Sequence, residues 1–189
     1  AGQHGDRLAV RHAQTQRFAR LERDAMHQNA TEPRHDPMGK IALDDDGNLY
    51  IADSNNDVVR KVTPGADGIL GEGGVHEEVI TTFAGTGEAG FSGDGGPAAK
   101  AALQSPRDVI VDKEGTLYIA DTLNHCVRKV DPSGIISTVA GQCGTSGFEG
   151  DGGSATEALL NRPYGIELDC VGNLYIADTL NYRIRVVYK

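Results

Sequence analysis

The sequence contains no tryptophan, and only 5% of its residues are aromatic. It has 25 glycines, and 39% of it is hydrophobic, a balance that points to many turns and short elements rather than long helices. No run is apolar enough to cross a bilayer as a helix. Basic residues are outnumbered: 18 Lys and Arg stand against 27 Asp and Glu, giving a net charge of −9 and a pI near 5.0. A surface this acidic repels phosphate backbones, so nucleic acid is not an expected partner. The three cysteines, Cys126, Cys143 and Cys170, are spaced 17 and 27 apart and match no CxxC-type metal or redox motif. An odd count leaves at least one thiol unpaired within the chain. One disulfide fits the count, but no spacing selects a pair. The expectation is of ordinary thiols, with Cys126 a small hydrophobe in a strand at a Val59-like position, Cys170 in a hairpin turn and Cys143 in a long loop.

What the sequence does have is repetition. GNLYIADSNNDVVRKV (47–62), GTLYIADTLNHCVRKV (115–130) and GNLYIADTLNYRIRVV (172–187) are three copies of one unit, offset by 68 and 57 residues. The longer first offset comes from residues 63–85, which exceed the matching stretch 131–141 by 12 residues. Each unit reads as short strands. IALDDDGNLYIAD is two apolar runs around a tight turn, and VIVDKEGTLYIAD and IELDCVGNLYIAD repeat it. A polar corner follows (DSNND, DTLNH, DTLNY), then a third strand (VVRKV, CVRKV, RIRVV), a Pro/Gly turn, and a fourth strand (VITTFAG, IISTVAG). Four short antiparallel strands recurring every ~40–60 residues are the mark of propeller blades.

The run "Pro, two residues, apolar–x–apolar–Asp, x–x–Gly–Asn–Leu–Tyr–Ile–Ala–Asp–Thr–x–Asn–x–x–Ile/Val–Arg" resembles the NHL repeat, and residues 36–189 carry it. The implied fold is all-β: a β-propeller of four-stranded antiparallel NHL-type blades, about three in this chain (36–85, 86–141, 142–189), with short helical turns in the connecting loops. The GFSGDGGPA connector is similar to the variant found in large bacterial extracytoplasmic members, so the resemblance favours an extracytoplasmic or secreted setting. It is weak for function, because the family includes RNA-binding regulators, protein-binding sensor domains, adhesion proteins and a peptide-amidating lyase.

That connector occurs twice, as FSGDGGPAAKAALQSP (91–106) and FEGDGGSATEALLNRP (148–163). It lacks the GK[ST] of a Walker loop, and Asp94 and Asp151 would repel phosphate. One carboxylate is too few for a calcium loop. It reads instead as the joint between blades. Glycines allow the turn, and Pro97 suits a helix start. Ser154 and Glu157 have capping-box spacing. AAKAAL and ATEALL are expected to form about one and a half helical turns. Leu103, Leu160, Phe91 and Phe148 are expected to bury against neighbouring blades, and Pro106 and Pro163 to open inner strands.

Internal copies separate frame from function. Residues present in every blade serve the blade: Asp53, Asp121 and Asp178; Asn56, Asn124 and Asn181; Arg60, Arg128 and Arg185. Asp and Asn hold the corner, and the Arg can bridge to a neighbouring carboxylate. Binding sites are asymmetric, so candidates lie where copies differ. These are Arg107, Asp108, Tyr164 and Gly165 at the entries of inner strands, with Met38 and Gly39 as first-blade counterparts, and Asp57, His125 and Tyr182 at the corners. Strand parity puts the corners and connectors on one rim and the hairpin turns on the other. Such a ring suits a protein, peptide or glycan, and the leading reading is a non-catalytic interaction module needing no cofactor. The alternative is a metal-dependent hydrolase or lyase using calcium or zinc. Beyond the first segment only His76 and His125 remain, too few for a three-histidine zinc site, and Glu167 is the one inner-strand glutamate.

Residues 1–37 are compositionally foreign, with six Arg, no Lys and four of the six His. Residues 1–35 form an atypical segment, read as a partly ordered amphipathic helix around DRLAVRHAQTQRFARLERDAMHQ or as a disordered arm. Three blades do not close a ring, so the expectation is either association of two chains or further blades of a longer chain.

Overall fold

The computed structural model describes residues 39–65, 70 and 78–189. The expected N-terminal helix lies outside these residues. Every strand pair within the described sheets is antiparallel. The first sheet is a meander of β1 (Ile41–Leu43), β2 (Leu49–Asp53), β3 (Val58–Thr63) and β4 (Val79–Ala84). The second contains β5 (Pro106–Val111), β6 (Leu117–Asp121), β7 (Cys126–Val130) and β8 (Ile136–Ala140). The third contains β9 (Pro163–Leu168), β10 (Leu174–Asp178) and β11 (Arg183–Val187). Each LYIAD run is a second strand, flanked by the first and third strands of its own unit.

Strand register equates positions across blades. Ile41, Val109 and Ile166 each sit opposite the isoleucine of LYIAD. Lys40, Asp108 and Gly165 are therefore equivalent, as are Gly39, Arg107 and Tyr164. The expected counterparts thus shift by one: Lys40 joins Asp108, and Met38 lies outside the described residues. The cause is an extra residue between Pro37 and Asp44 relative to the other two copies. Cys126 pairs with Asp121 as Val58 pairs with Asp53, so its counterpart is Val58, not Val59.

Most of the core lies between blades, because a strand exposes alternate side chains to opposite faces; the first blade also packs Leu49, Ile51, Val62 and Leu70 together on its other face. Tyr50, Ala52 and Val59 of the first blade pack with Val109, Leu117, Ile119 and Ile136 of the second. The opposite face of the second blade, with Ala120, Val127 and Ala140, packs with Ile166, Leu174 and Ile176 of the third. Each buried Leu or Ile contributes about 1.5–3 kcal/mol, so the blades are held chiefly by their neighbours.

The connectors contain one short 3₁₀ turn each, Ala98–Lys100 and Ala155–Glu157. That is less than the expected one and a half turns. The capping box does not form: the Ser154 hydroxyl meets Thr156 Oγ1 at 3.0 Å, and the Glu157 amide bonds the Ser154 carbonyl. Leu103 and Leu160 are buried in the inter-blade core. Phe91 and Phe148 are not buried; they are 44% and 41% exposed. Their rings lie under guanidinium groups instead, Arg128 over Phe91 at 5.0 Å and Arg183 over Phe148 at 3.8 Å. Pro106 and Pro163 open β5 and β9, where no ladder N–H is needed.

Cys126 and Cys143 form a disulfide, with Cα atoms 5.0 Å apart, and Cys170 is free and exposed. This corrects the expectation of ordinary thiols. The connector leaving the second blade doubles back past its corner, where Gly144 donates to the Asn124 carbonyl, and this brings Cys143 beside Cys126. Among the described residues no helix is long and apolar enough to cross a membrane.

Candidate functional site

The repeated residues build a cage at each corner. Asp121 Oδ1 accepts the Gln104 amide at 2.8 Å, and its Oδ2 accepts Asn124 Nδ2 at 2.8 Å. Asn124 also donates to the Gly90 carbonyl at 2.6 Å. The third blade repeats this: Asp178 accepts the amide of Asn161 and the Asn181 side chain, and Asn181 donates to the Gly147 carbonyl. In the first blade Asp53 accepts from Asn56 and Arg60.

Arg128 is the hub of the second joint and is fully buried. It contacts Asp94 Oδ1 at 2.6 Å, donates to the Ser92 and Ala102 carbonyls, and stands 3.7 Å from Asp121. Arg185 makes the equivalent set with Asp151 at 2.7 Å, the Glu149 and Leu159 carbonyls, and Asp178. A planar donor fork is what lets one side chain hold a carboxylate and two carbonyls together. Asp94 and Asp151 thus lie in the joint. Burial pushes the Asp121 carboxyl up to about 7, opposed by Asn124, the Gln104 amide and Arg128.

The differing corner residues Asp57, His125 and Tyr182 share a left-handed backbone, with φ of 54°, 59° and 55°. Asp57 accepts the Ser105 amide at 2.7 Å, and His125 Nδ1 accepts the Arg162 amide at 3.2 Å. Gln104 and Ser105 are consecutive, so one connector is pinned by adjacent amides to the blade behind it and the blade ahead. Asn161 and Arg162 do the same at the next joint. Asp57 and His125 are therefore engaged between blades, whereas Tyr182 is 91% exposed. Burial, then the Arg162 charge, holds the His125 imidazole below its usual range, with Asp178 pulling the other way.

Three contributors escaped the sequence reading. Thr122 Oγ1 donates to the Pro163 carbonyl of the next blade at 2.7 Å, and Ser54 bonds the Pro106 carbonyl in the same way. The Gln104–Ser105 and Asn161–Arg162 pins were also missed, although a polar pair precedes the proline in both QSP and NRP. The third is Lys40, hidden by the extra residue in its copy.

The inner-strand entries converge. Asp108 is buried, and its Oδ2 accepts Lys40 Nζ at 2.7 Å and the Ile166 amide at 2.8 Å, so one carboxylate joins three blades. Beside it the Arg107 guanidinium lies over the Tyr164 ring at 5.0 Å, and the Arg107 carbonyl accepts the Lys40 amide. Gly165 stands 3.8 Å, measured from an added Cβ, from both Asp108 and Lys40. Among the described residues no three of His, Cys, Asp and Glu come together as a metal-holding group. Glu167 is exposed on β9, opposite Tyr175.

Fold and repeat together define a β-propeller of antiparallel blades. The family model of the Teneurin NHL domain matches residues 78–149. Human NHL repeat-containing protein 2 is 33% identical over 145 residues, covering 74% of this chain and 18% of the relative. Human Teneurin-4 is 39% identical over 105 residues, 49% of this chain and 4% of the relative. Among solved structures, a Bacteroides thetaiotaomicron protein of unknown function superposes with a TM-score of 0.68 at 27% identity, over 84% of this chain and 37% of that one. The chain belongs to the NHL-repeat β-propeller family. It spans less than a fifth of the length of the curated relatives named here. Both of those are human, so they lend no support to a bacterial assignment from the GFSGDGGPA connector.

Proposed function

We propose that this chain is a non-catalytic interaction module that binds a protein, peptide or glycan on its loop-rich face, near the axial ends of β5 and β9. The carrying observation is the Arg107–Tyr164 pair, a cation on an aromatic ring at a position where the first blade has Gly39. Both side chains are part-exposed, and Arg and Tyr are the residue types that anchor interfaces. The inter-blade bonds of Asp108 hold the strands beneath them rigid, which favours recognition by a preformed surface. The Cys126–Cys143 disulfide supports an oxidising, extracytoplasmic or secreted setting.

Peptide and glycan arrays probed with native chain and with Tyr164→Ala test this reading. Hits that weaken about tenfold or more in the variant, at unchanged melting temperature, support it. Hits that ignore Tyr164 and Arg107 count against it. The metal-dependent hydrolase or lyase would require calcium or zinc donors around Asp108, whose binding oxygen is shared between Lys40 and the Ile166 amide. Calorimetric titration with either ion separates the two readings.

A further inference from the structure

One register position at the entry of the inner strands holds a different residue in each blade. Asp108 lies opposite Ala120 and Gly165 opposite Ala177, and the Lys40 carbonyl accepts the Ala52 amide at 3.0 Å, so all three face the alanine of LYIAD. Just before this position the ladders of β5 and β9 each carry an extra residue, Arg107 and Tyr164. A bulge of this kind re-aims its side chain, and here the Arg107 guanidinium lies over the Tyr164 ring at 5.0 Å.

The charges at this spot are unequally exposed. The Asp108 side chain is 1% exposed and the Lys40 side chain 63%. An ammonium has three donors, and among the described residues Lys40 Nζ uses one, on Asp108 Oδ2 at 2.7 Å. The Ile166 amide donates to the same oxygen at 2.8 Å. The acid is thus held by two donors while the cation faces solvent. Gly165 leaves room beside the pair. A Cβ added there would make only ordinary contacts, 3.6 Å from Ala177 Cβ and 3.8 Å from both Asp108 Oδ2 and Lys40 Nζ, and its backbone is not left-handed. A side chain would fit at Gly165 without strain; the glycine keeps that space open against an exposed ammonium.

We infer that the space beside Gly165 is a subsite for a side-chain carboxylate of an acidic peptide, bound by the Lys40 ammonium and flanked by the Arg107–Tyr164 pair. This rests on the interaction-module reading above and names the chemistry of its ligand. A carboxylate on the flexible stem of a glutamate reaches the ammonium through a space one methyl deep, whereas a carboxylate fixed to a sugar ring is held off by the ring. The bond it forms is charge-assisted, the stronger kind. The solvent-facing charges at the site, Lys40 and Arg107, are both positive in a chain of net charge −9. A carboxylate therefore meets an attraction here that the chain as a whole denies it.

The test is a fluorescence anisotropy titration of the whole chain with a labelled peptide, Gly-Ser-Glu-Glu-Glu-Ser-Gly, beside its Gln-Gln-Gln analogue. Saturable binding of the first is expected, about tenfold or more weaker for the second, and falling as salt rises. Gly165→Ala fills the space and should weaken binding about tenfold, with the melting temperature unchanged or raised. Lys40→Gln still donates to Asp108 but lacks the charge, and should weaken binding about as much. It keeps the test informative if Gly165→Ala fails to fold. Equal binding of the two peptides, no saturation, indifference to both substitutions, or preference for polygalacturonate over the glutamate peptide overturns the proposal. Tyr164→Ala separates the subsite from the wider reading. Loss there with none in Gly165→Ala removes the carboxylate subsite and leaves the interaction face. Loss in Gly165→Ala with none in Tyr164→Ala keeps the subsite and removes the Arg107–Tyr164 pair as an anchor.

Discussion

Gly150 shows how tightly single residues are specified in the joints. It has φ of 86°, and a Cβ there would lie 2.6 Å from Ala158 Cα. Gly144 has φ of 85° with nothing within 4 Å. Gly144→Ala should cost only the left-handed strain, about 1–2 kcal/mol, and Gly150→Ala clearly more, because backbone must move as well. Urea unfolding of the two variants measures the difference. His125 offers a second contrast, since Asp57 does the same task with a carboxylate. The unfolded imidazole protonates near 6.5, and the folded one lower. Between those values the unfolded chain binds more protons, so this group's contribution is complete above about pH 6.5 and falls as pH drops toward the folded value. Asn can accept the same amide, tolerates the left-handed backbone and does not titrate. Chemical denaturation between about pH 7 and 5 should therefore show the native chain losing stability relative to His125→Asn.

Elements here are stabilised by what crosses between them. Arg128→Lys keeps the charge but cannot hold Asp94 and two carbonyls at once. It should cost about 2–4 kcal/mol in thermal unfolding, the expected penalty for leaving buried acceptors unpaired. The disulfide closes a loop with a sequence separation of 17, so reduction or Cys143→Ser should remove about 3 kcal/mol. Thiol titration of the native chain should find Cys170 alone. The strands and corners were legible in the sequence because alternation and the ADTLN pattern are local. The cages of Asp, Asn and Arg announced themselves by recurring in each copy. The bond partners were less legible, since Asp57 meets Ser105 at a separation of 48 and Asp108 meets Ile166 at 58. Phe91 was misread because burial was inferred from hydrophobicity, whereas an aromatic face can be satisfied by a guanidinium. Three cysteines permit three pairings, and only the path of the connector past the corner selects one.

For the whole molecule, the two largest clusters span neighbouring blades, and only the first blade adds a cluster of its own, Leu49, Ile51, Val62 and Leu70, among the described residues. The candidate binding positions divide: Asp57, His125 and Asp108 join blades, and the proposed binding role rests on Arg107 and Tyr164, with Tyr182 exposed at its corner. Substitution at Asp108 should therefore lower stability as well as binding, and Tyr164→Ala binding alone. Parallel melting and array measurements on Asp108→Asn and Tyr164→Ala separate the two roles. Outside the candidate face, the chain's charge of −9 should discourage non-specific capture of acidic polymers.

The paired amides at Gln104–Ser105 and Asn161–Arg162 also bear on ancestry. Each connector carries the contacts to the blade on either side within a single stretch of chain. A gene segment duplicated from one connector to the next therefore brings a complete joint with it, and the flanking copies need no compensating change. Blade number in such a lineage can grow or shrink by whole units, while the spacing of the pinned pair ahead of its proline stays the same.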